Sequence, residues 1–120
     1  VKYSDLDVWQ RAMAVAEVVL RTTARFPAAQ RFVLAAQMQR AAISLPSNIA
    51  EGHGRKSTGA YLNHLSIAAG SLRELQTQLE LARRLGLLSE TEADRLMEQC
   101  DGVGSLLGAL IRSLEARGKR

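Results

Sequence analysis

A chain of 120 residues carrying a net charge of +4 is long enough for one hydrophobic core and too short for two. Hydrophobic residues make up 47% but aromatics only 4%, and Ala and Leu dominate the apolar set; this suits close-packed helices and argues against a sheet. No apolar run reaches the roughly 20 residues that cross a bilayer, no basic-then-apolar leader opens the chain, and the single Cys100 has no partner for an intrachain disulfide. A cytoplasmic protein with no membrane partner is expected.

Ser4-Asp5-Leu6-Asp7 predicts a helix start, with a serine oxygen for the orphan amides and acids on the positive dipole end. The first helix should span about 5–25 and stop ahead of Phe26-Pro27, because the residue before proline disfavours α geometry. It carries two apolar stripes: Leu6, Trp9, Met13, Ala16 and Leu20, and a rotated set of Val8, Ala12, Val15 and Val19.

A second helix is expected over about 28–52, running through Pro46. An interior proline removes one backbone hydrogen bond and costs roughly 3 kcal/mol, so Ser44, Ser47 and Asn48 are the expected local compensation. Gly52 and Gly54 end this helix, and Ser57 or Thr58 caps a third over about 58–85. There Tyr61, Leu65, Ala68, Leu72, Leu75, Leu79 and Ala82 alternate four and three apart. Ser89-Glu90-Thr91-Glu92 reads as a capping box opening a fourth helix over about 90–117. Its seam is Ala93, Leu96, Cys100, Val103, Leu107, Leu110 and Leu114, with Met97, Gly104 and Ile111 beside it. Both seams repeat every 3.5 residues, the period of bundle packing. Val1 to Tyr3 and Arg117 to Arg120 read as frayed ends. With short connections, residues 1–120 form one all-α, antiparallel up-down-up-down four-helix bundle.

The second stripe on the first helix exceeds what one bundle core needs. It implies a further burial surface and hence self-association, the alternative being a wide core-facing arc.

The polar residues of the second helix, Arg40, Ser44, Asn48 and Glu51, are spaced four, four and three apart along one side, with Glu74 of the third helix in register to meet them. One reading is a ligand or RNA contact. The other is a buried structural network in which Arg40 pairs with a carboxylate while Ser44 and Asn48 satisfy carbonyls freed by Pro46. Gly52-His53-Gly54-Arg55-Lys56 is either an anion-binding nest or a plain helix-to-helix turn; it lacks the spacing of a P-loop.

No catalytic constellation is present, no metal-ligand spacing links His53, His64 and Cys100, and no cofactor motif occurs; Cys100 reads as a small core residue. In the bundle, one end gathers Arg21, Arg25, Arg31, Arg83 and Arg84. The other gathers Lys2, Arg55, Lys56, Arg112, Arg117, Lys119 and Arg120, and all of these but Lys2 form the candidate nucleic-acid-binding set. Arginine at helix C-termini also complements the helix dipole, which accounts for part of the first group without a partner.

Specific blocks carry a family resemblance: Asp5-Leu6-Asp7-Val8-Trp9-Gln10, Phe26-Pro27, Gln37 through Gly52, Gly54-Arg55-Lys56-Ser57, Leu65 through Leu75, Gln78-Leu79 and Arg84-Leu85-Gly86. Over about residues 5–88 the chain resembles the four-helix-bundle proteins encoded within intervening sequences of bacterial 23S rRNA genes. The resemblance implies a homopentamer around a central pore. A related branch comprises accessory proteins of diversity-generating retroelements, which bind nucleic acid and a reverse transcriptase. This chain departs from the pattern with Gly59-Ala60 before Tyr61, where an acid is usual, and with Asn63-His64 after it, where a basic residue often follows. The expectation is a non-enzymatic homo-oligomer that binds structured RNA or DNA through its basic surface. The alternatives are an accessory subunit of a retroelement reverse transcriptase and a protein-binding scaffold.

Overall fold

The computed structural model describes residues 1–118, so Lys119 and Arg120 of the expected basic set lie outside the described residues. Four helices, α1 (Asp7–Thr23), α2 (Ala36–His53), α3 (Thr58–Arg84) and α4 (Glu90–Gly118), form a rod of 50 × 23 × 21 Å. Each helix packs on its neighbour in sequence and α4 closes against α1, which gives the antiparallel bundle expected; the α2–α3 interface is the most extensive.

The 3.5-residue repeats locate the core. Leu65, Ala68, Leu72, Leu75, Leu79 and Ala82 of α3 are buried, as are Ala93, Leu96, Cys100, Val103, Leu107 and Leu114 of α4. Met38, Leu45 and Ile49 meet them from α2. Burying a Leu or Ile side chain contributes about 1.5–3 kcal/mol, so these seams supply most of the driving force. Met97 and Ile111 pack partly buried against the same core, and Gly104 lets Leu72 approach its backbone. The extra apolar residues of α4 therefore widen one arc.

On α1 the outcome is different. The rotated stripe, Val8, Ala12, Val15 and Val19, faces inward together with Ala16, while Met13 and Leu20 remain 38% and 39% exposed. These two join Trp9, Ile43 and Pro46 around an open apolar cleft of about 380 Å³ between α1 and α2.

Local start and stop signals mostly act as expected. Ser57 Oγ accepts the Ala60 N–H at 3.1 Å. At the head of α4, Ser89 Oγ accepts from Glu92 N–H at 3.1 Å and Glu92 accepts from Ser89 N–H at 3.2 Å, a reciprocal box. Gly86 at φ +73° ends α3, with Leu87 N–H bonded to the Ala82 carbonyl and Gly86 N–H to that of Arg83. That pattern needs the left-handed conformation glycine adopts freely.

The start of α1, its end and the entry to α2 differ from expectation. Ser4 does not cap α1. Tyr3–Asp5 forms a single 3-10 turn, closed by Lys2 N–H on the Asp5 carboxylate, and α1 starts at Asp7 behind an extended Leu6. Tyr3, expected to fray, sets its ring edge-on to Trp9 at 5.2 Å. α1 also ends at Thr23, two residues short of expectation. The second helix does not run unbroken from residue 28: a 3-10 turn (Ala28–Gln30) and a π turn (Arg31–Ala35) precede α2. The wider π turn, with Ala36 N–H bonded to the Arg31 carbonyl, changes the register of the entry. Leu34 and Ala35 turn inward while Phe32 and Val33 stay exposed.

Candidate functional site

The site begins where α2 turns into α3. Gly52 is buried at this crossing, and a Cβ added there would stand 2.9 Å from His64 Cβ and 2.9 Å from Tyr61 Cδ1. Only a glycine lets the two helices meet this closely, and the approach brings polar groups of α2 and α3 into one line.

Those groups form a directed hydrogen-bond relay. Arg55 Nε–H can only donate, so His64 Nε2, at 3.2 Å, accepts. The imidazole proton then sits on Nδ1 and is donated to Asn48 Oδ1 at 3.0 Å. Asn48 Nδ2 in turn donates to Ser44 Oγ and to the Ser44 carbonyl, both at 3.0 Å. Ser44 Oγ also shares a hydrogen bond with Ser71 Oγ at 2.8 Å, in which either hydroxyl can donate. Glu51 stands beside the relay, its Oε2 3.7 Å from His64 Nδ1.

Of the expected network, Ser44 and Asn48 are thus joined and Glu51 adjoins them. Arg40 and Glu74 are not part of it. Both are exposed on the rim of a shallow α2–α3 groove, and Arg40 makes no ion pair among the described residues. The groove wall is open to water, so a guanidinium there keeps its hydration and needs no buried partner. Asn48 bonds the Ser44 carbonyl, not that of Ala42, the group four residues before Pro46 that loses its N–H donor. His64 and Ser71 are the members that sequence reasoning missed. Their signal was a seven-residue spacing on α3, opposite the four-residue spacing of Ser44 and Asn48 on α2.

The two ends of the bundle treat their arginines differently. At the α1–α2 and α3–α4 turns, Arg25 pairs with Glu92 at 2.6 Å, Arg84 with Glu80 at 2.9 Å, and Arg83 with Glu80 and Glu90. The Arg83 and Arg84 hydrogen bonds hold the Glu80 carboxyl down to about 2. Arg21 has Glu17 at 3.7 Å, and Arg31 alone of that group has no carboxylate within 4 Å among the described residues. At the α2–α3 turn the reverse holds: Arg55, Lys56, Arg112 and Arg117 are exposed and none has a carboxylate partner among the described residues. Arg117 lies near enough to Tyr61 that its charge opposes the upward shift that burial imposes on the phenol. The Asp5 and Asp7 carboxylates of this end are already engaged, by Lys2 N–H and by Arg11.

The remaining reactive side chains are occupied. Burial, aided by Asp101, pushes the Cys100 thiol up to about 12, so it holds its proton at neutral pH. His53 packs edge-on to Tyr61, with ring centroids 6.0 Å apart. No described helix is long and apolar enough to cross a membrane.

The helix order, the interdigitated seams and the polar crossing define an all-α protein of the antiparallel four-helix-bundle class. Residues 4–109 match the model of the 23S rRNA-intervening sequence protein family, and the chain belongs to that family. Its fold is similar to the crystal structure of a protein of unknown function from the S23 ribosomal protein family of Bacteroides thetaiotaomicron. The TM-score is 0.82 at 23% identity, with 88% of this chain and 95% of that chain covered. No curated protein matches the chain.

Proposed function

We propose that this protein is a non-catalytic homo-oligomer that binds structured RNA or DNA through the basic end formed by the α2–α3 turn and the last turns of α4. One observation carries the reading. Cations at the opposite end are mostly neutralised by carboxylates, whereas Arg55, Lys56, Arg112 and Arg117 have none, and unneutralised exposed cations are what a phosphate backbone recruits by counterion release. Lys119 and Arg120 continue the same charge in sequence.

Self-association rests on the α1–α2 cleft. Trp9, Met13, Leu20 and Ile43 form a contiguous apolar surface of a kind that monomers seldom leave in water. A pentamer is the assembly that the family resemblance favours. A reverse-transcriptase accessory role and a purely protein-binding scaffold are the rivals.

The test is fluorescence anisotropy with a structured rRNA hairpin and a matched DNA duplex, from about 50 mM to about 300 mM salt. Micromolar binding that weakens steeply with salt, and falls on Arg55→Gln with Lys56→Gln, is expected. Absence of binding at the lowest salt would sink the reading and leave the scaffold.

A further inference from the structure

We infer that His64 is a positioning residue that aims Arg55 at an anionic oxygen pair, and that its protonation state switches that aim. The inference rests on the nucleic-acid reading for the identity of the anion, but not for the geometry. Arg55 projects from a glycine-interrupted turn and is itself exposed, so nothing on its own segment holds the guanidinium. His64 does hold it: its side chain is only 14% exposed, and Nε2 accepts from Arg55 Nε–H at 3.2 Å. The imidazole cannot rotate freely, because Asn48, bonded to Ser44, accepts from its other nitrogen. With Nε engaged, the two Nη groups remain as a fork that matches two phosphate oxygens.

Protonation reverses the contact. Nε2 becomes a donor, two positive charges face one another, and Arg55 is released. The charged groups around His64 are the Glu51 carboxylate from α2, 3.7 Å from Nδ1, and the Arg55 guanidinium from the turn, 3.2 Å from Nε2. Tyr61 precedes it on α3 and carries His53 on its ring edge and Arg117 of α4 nearby. The relay thus reports acidification by freeing one cation at the basic end.

The experiment is nitrogen-15 NMR of the Arg55 Nε–H, with hairpin affinity measured alongside, for the wild type, His64→Phe and His64→Gln. Glutamine keeps one donor and one acceptor but does not titrate. The wild type should show a slowly exchanging Arg55 Nε–H near neutral pH that disappears as His64 protonates, with affinity changing over the same range. His64→Phe should lose the signal and bind about threefold to tenfold more weakly. His64→Gln should keep both and lose their dependence on pH. An Arg55 Nε–H signal unaltered in His64→Phe, or unaltered by acid in the wild type, overturns the inference. If the wild type binds neither nucleic acid, the functional reading fails while the NMR arms still decide the His64–Arg55 relationship.

Discussion

Gly52 and Tyr61 touch backbone to ring: a Cβ at Gly52 would lie 2.9 Å from Tyr61 Cδ1 and 3.2 Å from its carbonyl oxygen. Backbone cannot give way as a flexible side chain can, so the α2–α3 crossing depends on the missing methyl group. Gly52→Ala should destabilise the bundle by about 1–3 kcal/mol, the usual cost of over-packing. Urea unfolding checks this. Because the same Cβ would press on His64, the variant should also displace the relay, read as a shifted Arg55 Nε–H resonance.

Glu80 joins Arg83 and Arg84, and its carboxyl falls from 4.5 to about 2, first through the Arg83 hydrogen bond and then through that of Arg84. A carboxylate lowered on folding contributes stability above its unfolded value. That contribution disappears as pH falls from about 4.5 through about 2, where the unfolded chain takes up the proton first. Wild type and Glu80→Gln should therefore differ in Tm at pH 7 and converge near pH 2. Added salt should narrow the difference at pH 7, since these groups are partly exposed.

Cys100 behaves in the opposite sense. Its thiol rises from 9.0 to about 12, with burial the larger cause and Asp101 the smaller. The unfolded thiol ionises first, so the stability is complete below about pH 9 and declines as pH climbs toward 12. Cys100→Ala should reduce this alkaline loss while costing about 1 kcal/mol at neutral pH for the lost packing. In the wild type, a disulfide exchange reagent should label Cys100 only at the rate of unfolding. Rapid labelling of the folded protein would contradict the burial.

The α1–α2 cleft predicts an assembly state. Leu20→Glu combined with Ile43→Glu places charge on a surface that is about half exposed in one chain, so helicity should be unchanged. The mass by sedimentation should drop from an oligomer to that of the 13.1 kDa chain. A wild type already monomeric at micromolar concentration would end the self-association reading.

Much of the architecture was legible from residues alone. Seams at 3.5-residue spacing name the buried side of α3 and α4, because a helix with apolar groups on one stripe has only one way to hide them. The Ser57 cap and the Ser89–Glu92 box are equally local, since each involves groups within a few residues of one another. The tertiary structure alone decided what depends on how helices rotate against each other. It chose Val8, Ala12, Val15 and Val19 over Met13 and Leu20 for the core, and inserted the π turn that sets the entry to α2. It left Arg40 and Glu74 in water and made His64 the link between Asn48 and Arg55. Spacing along one helix ranks its faces. Which polar groups meet across the gap is fixed by the distance between two axes, and here that distance is governed by the bare backbone of Gly52.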